Sequence, residues 1–581
     1  MRGRGSQDAR RREAPIDGGA RIRLLVSVVL VGMGLIGWRM FQKSILEHPV
    51  YVAQAENQYE ISKELPSKRG TIYAQDAELG RRMPVAATEE RFDISVVPRN
   101  VKDKVAAART LAEVFGLDEA EVRASLETDK LYLPPLVRGT SKAKKEEIAE
   151  RGFVGLLIEK RHQRVYPQGS LAAHLLGFVN REAKGNYGIE GWYDEELRGT
   201  AGSVIGQRDT LGRLISTVSK VTPKDGVDVE LTIDHNVQFA AEKRLQRALE
   251  ETGAPSGQVV IMDPRDGAIL ALAGNPGFSP VAYNEVPVEE QQRFQNPVTS
   301  TTYEPGSIMK PLVMAMAIDL GRVEPDTTET FGKSVTVQGF QIHTALEKAF
   351  GRQTMSQVLQ NSDNVAMVWL AQKMTNEEMY ERFVRFGLNE KTGIDLSGEA
   401  NGWVPEAKRW QEINQATMSF GQGIAVSPIQ MLRAWAALVN GGKLVTPHVV
   451  SRLVGDRGVV LESEYPVVEG VIRPETSAKL REMLESVVRD GPYGRTRVEG
   501  YRIGGKTGTA QIASPDGGYL DGVFVHSLMG FFPADDPQYL VLVKLDRPTS
   551  AKFAESTAGP VFHDLAQYLF NYYKIPPTAA E

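Results

Sequence analysis

The chain has 581 residues, enough for more than one domain, and 42% of them are hydrophobic, enough for large cores. A formal net charge of −5 gives no sign of nucleic-acid binding. With no cysteine, disulfides, thiolate metal sites and cysteine nucleophiles are excluded, and the redox compartment stays open. The eight histidines are scattered without a ligand pair, so no metal and no cofactor is expected.

Residues 1–23 carry seven arginines against the acids Asp8, Glu13 and Asp17. Leu24 to Trp38 then runs without a charge. That is short of the ~20 residues a membrane span needs, but Ile22, Met40 and Phe41 extend it if Arg23 and Arg39 snorkel. A signal peptide is the alternative. Arg39-Met40-Phe41-Gln42-Lys43 offers no small-x-small cleavage site, so the expectation is an uncleaved anchor over 24–41. The arginine excess places tail 1–23 in the cytoplasm and the bulk of the chain outside.

After a mixed stretch at 46–65, segments 68–73, 91–97 and 155–159 read as strands. Segments 102–115 and 119–125 read as helices, and 169–177 as a short one. This is an α+β region with no catalytic cluster. His162 and His174 read as structural, having no carboxylate or serine at suggestive spacing. Pro223-Lys224-Asp225-Gly226 marks a boundary. Beyond it, 229–234 is a strand, 235–251 a helix, and 258–262 with 268–273 a hairpin across Asp263-Pro264-Arg265-Asp266-Gly267. An apolar helix occupies 312–320, with an irregular start because Pro311 lies in its first turns. Helical stretches at 354–386 and 428–440 follow, then strands at 501–512, 525–532 and 538–545 and a helix at 560–573. One antiparallel sheet built from both ends of this domain, flanked by helices and carrying a helical block, accounts for the order.

The chemistry concentrates at Glu304-Pro305-Gly306-Ser307-Ile308-Met309-Lys310. Serine and lysine three residues apart share one face of a helix start. Ser307 needs a base, and Lys310 is one if burial or a neighbouring cation depresses its pKa. Alone the spacing is weak evidence, because Ser141 and Lys144 repeat it in a charged run that reads as solvated surface. Two later segments lend support: Ser362-Asp363-Asn364, ahead of an apolar run, and Lys506-Thr507-Gly508-Thr509, after Ile503-Gly504-Gly505. A second Lys-Thr-Gly at 391–393 sits in a polar turn and lacks the second threonine. Taken singly, Ser362-Asp363-Asn364 could be a helix cap, Lys506 a surface lysine and Gly505 a bulge.

The trio of S-x-x-K, S-D-N and K-T-G is shared by class A β-lactamases and penicillin-binding proteins. Residues from about 48 to 575 resemble a class B penicillin-binding protein, a monofunctional peptidoglycan D,D-transpeptidase. The likeness rests on Arg69-Gly70-Thr71-Ile72, Leu231-Thr232-Ile233-Asp234, the trio, Phe420-Gly421-Gln422-Gly423, Ser427-Pro428-Ile429-Gln430 and 526–533. One departure is Tyr73-Ala74-Gln75-Asp76, where the family usually continues with Asp-Arg and an Asn/Ser-Gly turn.

The resemblance implies an α+β chain with a membrane helix, an elongated pedestal (dimerisation-like) domain over 48–225, a transpeptidase domain over 226–575 and a tail at 576–581. It implies Ser307 as nucleophile toward the penultimate D-Ala carbonyl of a stem peptide, Lys310 as base, and Ser362 as proton relay. Asn364 would bind substrate amide and Lys310, while Lys506, Thr507 and Thr509 would hold the terminal carboxylate. Backbone N–H groups of Ser307 and Thr509 would hold the oxyanion. Gly505 and Gly508 would let a substrate backbone come close. Implied partners are D-Ala-D-Ala stem peptides, lipid-linked glycan strands, β-lactams, a membrane glycosyltransferase of the SEDS type and other division proteins. A septal role is preferred, with elongation as the alternative. Other readings are a β-lactamase, a carboxypeptidase, and a non-enzymatic β-lactam sensor or division scaffold.

Overall fold

The uncharged run at 24–38 lies inside helix α1 (Gly18–Phe41) of the computed structural model. The span Arg21–Leu46 has mean hydropathy 2.0 and nothing packed over it, which is consistent with a single-pass membrane anchor. The structure describes residues 18–51, 60–128, 130, 133–208, 214–456 and 458–578. Its contacts divide the chain into two units, residues 1–65 with 201–223 and residues 66–200 with 224–581.

The smaller unit holds α1 and an antiparallel sheet in which Gly202–Arg208 lies between Glu60–Leu65 and Leu214–Val221. The sequence did not announce these strands. Their large apolar residues (Ile61 and Leu65; Val204 and Ile205; Leu214, Ile215, Val218 and Val221) do not alternate, so the pattern that marks a half-buried strand is faint.

In the larger unit, β1 (Ile72–Asp76) and β2 (Arg81–Val96) are followed by α2 (Lys104–Phe115) and α3 (Glu119–Leu126). Asp103 and Asp118 cap these helices by accepting from Ala106 and Glu121 N–H. Strands β3 (Val137–Thr140) and β4 (Leu156–Val165) both pair with β2. Across the expected boundary come β5 (Asp228–Asp234), α4 (His235–Thr252), β6 (Ser256–Met262) and β7 (Ile269–Asn275). The helices that follow are α5 (Lys310–Asp319), α6 (Asn364–Ala371) and α7 (Pro428–Val439). Then come β8 (Val450–Gly455), β9 (Gly458–Glu462), α8 (Pro474–Asp490), β10 (Gly504–Ala513), β11 (Tyr519–Phe532), β12 (Tyr539–Asp546) and α9 (Ala558–Tyr572).

Two sheets organise this unit. One runs β9-β8-β5-β1-β2-β3, with β4 also on β2, so it crosses Pro223–Gly226 and joins both halves of the sequence through the parallel pair β5–β1. At that junction Arg69 is fixed by buried acids: Nε to Glu190 at 2.6 Å, Nη1 to Asp194 at 2.7 Å and Nη2 to the Glu190 carbonyl at 2.9 Å. Arg164 takes the other Glu190 oxygen at 2.6 Å.

The second sheet runs β7-β6-β12-β11-β10, antiparallel throughout. Strands from both ends of the domain meet in it, as the sequence order requires. Helix α4 lies on one face, burying Val237, Ala241, Leu245 and Ala248 at helical spacing. Helices α5 and α7 are buried on every side. Their continuous apolar composition fits a central position rather than a surface stripe. Hairpins Thr328–Phe331 with Gly351–Thr354, and Ser334–Val337 with Phe340–His343, were not foreseen.

Candidate functional site

Residues Gly306–Met309 form a 3-10 turn that leads straight into α5, whose second residue is Pro311. Proline belongs in a first turn because it has no N–H to satisfy there. The Lys310 N–H bonds the Ser307 carbonyl, an i to i+3 closure that eclipses the two side chains. The serine and lysine therefore lie on one face.

The turn is clamped on several sides. Gly306 N–H donates to the Gly421 carbonyl at 3.0 Å, and the Trp435 indole donates to the Ile308 carbonyl at 2.9 Å. Gly306 has φ +60, and a side chain there would come within 2.9 Å of Ala510 on β10. From the other side, a Cβ on Gly508 would lie 3.0 Å from the Pro305 carbonyl and 3.2 Å from Ile308. The same Cβ would meet Ser527 Oγ on β11 at 2.5 Å, so the absence of a side chain at Gly508 lets strand, neighbour and serine turn pack together. At Gly505 a Cβ would meet the Met529 carbonyl at 2.9 Å and Val488 at 3.6 Å.

Lys310 is fully buried and reaches the second segment. Its ammonium donates to the Ser362 carbonyl at 2.7 Å, the Ser362 hydroxyl at 3.1 Å and Asn364 Oδ1 at 2.7 Å. Ser362 has φ +52, a left-handed conformation that is costly outside glycine and that sets its carbonyl beside Lys310. Asp363 does cap a helix. Its carboxylate accepts from Val365 and Ala366 N–H at 2.8 and 3.1 Å, and from Gln353 at 2.9 Å. The cap and the lysine contacts are one device: Asp363 starts α6, and its two neighbours serve Lys310. Asn364 also donates to the His343 carbonyl at 3.0 Å, tying the site to the unforeseen hairpin.

Lys506 is buried on β10, the edge strand of its sheet. It donates to the Tyr493 hydroxyl at 2.7 Å and the Thr507 carbonyl at 3.1 Å. Thr507 Oγ1 donates to the same Tyr493 hydroxyl at 3.2 Å, and Thr509 Oγ1 accepts from Ala554 N–H at 3.2 Å. Tyr493 was missed by the sequence reading. Its only signal is an aromatic residue in a Gly-Pro-Tyr-Gly turn ten residues or so before the Lys-Thr-Gly strand.

Burial pushes the Lys310 amine well below the usual lysine range, the Lys506 charge adds in the same sense, and Asp363 opposes. Burial lowers Lys506 to about 7, against the pull of Glu555. Among the described residues the Ser307 hydroxyl makes no hydrogen bond, and Ser307 is half-buried. A cleft of about 870 Å³ runs from Tyr303, Glu304 and Gln511 to His174, Asn275 and Arg293, and none of Ser307, Lys310, Ser362, Asn364 and Lys506 lines it.

The two decoys are accounted for. Ser141 caps the helix Lys142–Arg151 by accepting from Lys144 N–H, and Lys144 is exposed. Thr392 of the other Lys-Thr-Gly gives its N–H and hydroxyl to Glu399, and Lys391 is exposed.

A buried serine–lysine turn, an S-x-N segment and a lysine-bearing edge strand at one five-stranded sheet define a serine acyl-transfer site. The penicillin-binding protein transpeptidase domain model matches residues 257–567, and the penicillin-binding protein dimerisation domain model matches 64–231. The chain belongs to the penicillin-binding proteins with a transpeptidase domain. It is 35% identical to stage V sporulation protein D of Bacillus subtilis over 86% of this chain and 78% of that protein. It is 27% identical to peptidoglycan D,D-transpeptidase FtsI of Escherichia coli over 96% and 93% of the two chains. Penicillin binding protein 3 of Mycobacterium tuberculosis, solved with ampicillin, superposes with a TM-score of 0.68 and 26% identity, covering 89% of this chain and 97% of that one.

Proposed function

We propose that this protein is a membrane-anchored peptidoglycan D,D-transpeptidase that cross-links stem peptides through an acyl-enzyme on Ser307 and is acylated there by β-lactams. The observation that carries this reading is the arrangement around Lys310: three oxygens within 3.1 Å and, among the described residues, no carboxylate bonded to it. A neutral amine has two N–H donors and one lone pair. The Ser362 carbonyl and Asn364 Oδ1 can only accept, so they take the two donors. The lone pair is then left on the hydroxyl side, where it can take a proton from Ser307 or Ser362.

The reaction follows from that geometry. Ser307 Oγ attacks the carbonyl of the penultimate D-Ala while its proton passes to Lys310. The tetrahedral oxyanion is held by N–H groups of Ser307 and Thr509. The Ser307 N–H lies at a helix start, where N–H groups lack intrahelical partners. Collapse breaks the peptide bond, and Ser362 relays the Lys310 proton to the departing D-Ala amine. An amine of a neighbouring strand then attacks the ester, loses its proton by the same route and frees Ser307. Lys506, Thr507 and Thr509 hold the terminal carboxylate of the donor. Asn364 orients Lys310 and the donor amide.

Residues 48–225 serve as pedestal and 226–575 as catalytic domain. The tail at 1–23 is cytoplasmic because of its arginines, and the catalytic domain is extracytoplasmic. The role is septal, in company with a membrane glycosyltransferase of the SEDS type and other division proteins. Ser307→Ala should abolish labelling by a fluorescent penicillin while the protein stays folded and membrane-bound. Labelling that persists would remove Ser307 from the mechanism. A mid-cell band of tagged protein supports division, and lateral-wall patches would overturn that part.

A further inference from the structure

One buried phenol next to the site has no part in the mechanism. Tyr493 is 4% exposed and sits in the turn after α8. Its hydroxyl accepts from Lys506 Nζ at 2.7 Å and from Thr507 Oγ1 at 3.2 Å. Lys506 Nζ also lies 5.4 Å from the centre of the same ring, within range of a cation–π contact. The two acceptor positions of the phenol are thus both used, by the two consecutive residues assigned to the donor carboxylate.

The turn that presents Tyr493 is fixed from outside. Tyr493 N–H bonds the Gly491 carbonyl at 2.8 Å, and Thr496 N–H bonds the Tyr493 carbonyl at 3.1 Å. Glu555 accepts from Arg495 N–H at 2.7 Å and from Thr496 Oγ1 at 2.8 Å. Arg497 donates to the Val488 carbonyl at 2.7 Å and to the Gly491 carbonyl at 3.1 Å. Glu555 is therefore spent on the turn, and no acid bonds Lys506 among the described residues.

We propose that Tyr493 is a positioning residue for the donor carboxylate: its hydroxyl holds Lys506 in place and keeps it charged, so that the site favours acyl donors with a free carboxylate next to the scissile bond. The inference rests on the assignment of Lys506 to that carboxylate. A hydrogen bond to the charged form favours that form. The groups that face Lys506 are the neutral oxygens of Tyr493 and Thr507, the cation Lys310 and, at longer range, Glu555. Burial already brings Lys506 to about 7, so loss of one strong acceptor moves its titration through the working range of pH. The charge of Lys506 also helps to lower Lys310. Acylation needs Lys310 neutral and Lys506 charged, which gives a bell-shaped profile whose alkaline limb reports loss of the Lys506 charge.

Tyr493→Phe keeps the ring and removes the hydroxyl. The test measures second-order acylation of full-length protein in detergent by benzylpenicillin and by its methyl ester, from pH 5.5 to 9. The expected result is a fall of about 10-fold at pH 8 for benzylpenicillin, an alkaline limb moved about one unit lower, and recovery near pH 6. The methyl ester, which has no carboxylate, should lose less than about threefold at every pH. Circular dichroism and the final acylation stoichiometry check that the variant is folded and that Ser307 is intact. Equal losses for acid and ester, or no loss for either, would overturn the role of Tyr493 while leaving the acyl-enzyme reading standing. Failure of wild-type protein to be acylated at all would instead remove the reading itself.

Discussion

Two clusters in the larger unit bury positive charge and treat it in opposite ways. Arg69 and Arg164 are met by Glu190 and Asp194, with every bond between 2.6 and 2.9 Å. Burial alone would lower the Arg69 pKa, but the charge of Glu190 and the bond to Asp194 outweigh it and leave it raised. Lys310 and Lys506 are just as buried, yet their partners are carbonyl, amide and hydroxyl oxygens, and both are lowered. A neutralised cation is locked and inert. A desolvated cation with neutral partners is ready to give up its proton or to accept a new anion. One cluster fastens a sheet that spans two halves of the sequence, and the other is poised for chemistry.

Substitutions should separate the two clusters. Lys310→Ala should have the largest effect: penicillin acylation slowed by about 10²- to 10⁴-fold with the thermal midpoint little changed, measured by stopped flow and calorimetry. Arg69→Ala should do the reverse. It leaves Glu190 buried with one partner fewer, so denaturant titration should show a loss of about 3–5 kcal/mol, while surviving folded protein acylates normally. Lys506→Met should remove activity toward carboxylate donors and stabilise the fold, on the order of 1–4 kcal/mol at neutral pH, because a buried cation without an anion is replaced by a hydrophobe.

The last contrast is in pH dependence. Lys506 titrates near 7 when folded and at the ordinary 10.5 when unfolded. Between these values the unfolded chain binds the extra proton, so stability rises with pH across that window, and below pH 7 the cost is full. Wild-type protein should show this upward slope and Lys506→Met should lack it. An identical slope in both would mean that Lys506 carries its charge without penalty, and the contrast between the clusters would fail. Arg69→Ala should leave the slope unchanged, since Arg69 stays charged throughout.

Much of this was readable residue by residue. The hairpin around Asp263–Gly267, the amphipathic helix α4, the irregular start before Pro311 and the returning strands follow from periodicity and turn chemistry. The strands at Gly202–Arg208 and Leu214–Val221, and the hairpin that supplies the His343 carbonyl to Asn364, did not stand out. The first two lack alternation and the hairpin strands are four residues long, so their partners supply the reason for their shape. Tyr493 was invisible for a related cause: a tyrosine in a turn gains meaning only from the lysine it faces.

The amino-acid order by itself determined which residue types stand at which spacing, and therefore that a serine, two lysines, a second serine and an asparagine were available in a suitable arrangement. It also offered spare copies, Ser141 with Lys144 and Lys391 with Thr392. Only the tertiary structure chose between them. Lys144 and Lys391 remain in water, while Lys310 and Lys506 are enclosed by helices and strands drawn from 362–364, 493 and 504–513. Reactivity in a lysine comes from losing its hydration, and hydration is removed by neighbours in space, which a linear sequence does not specify.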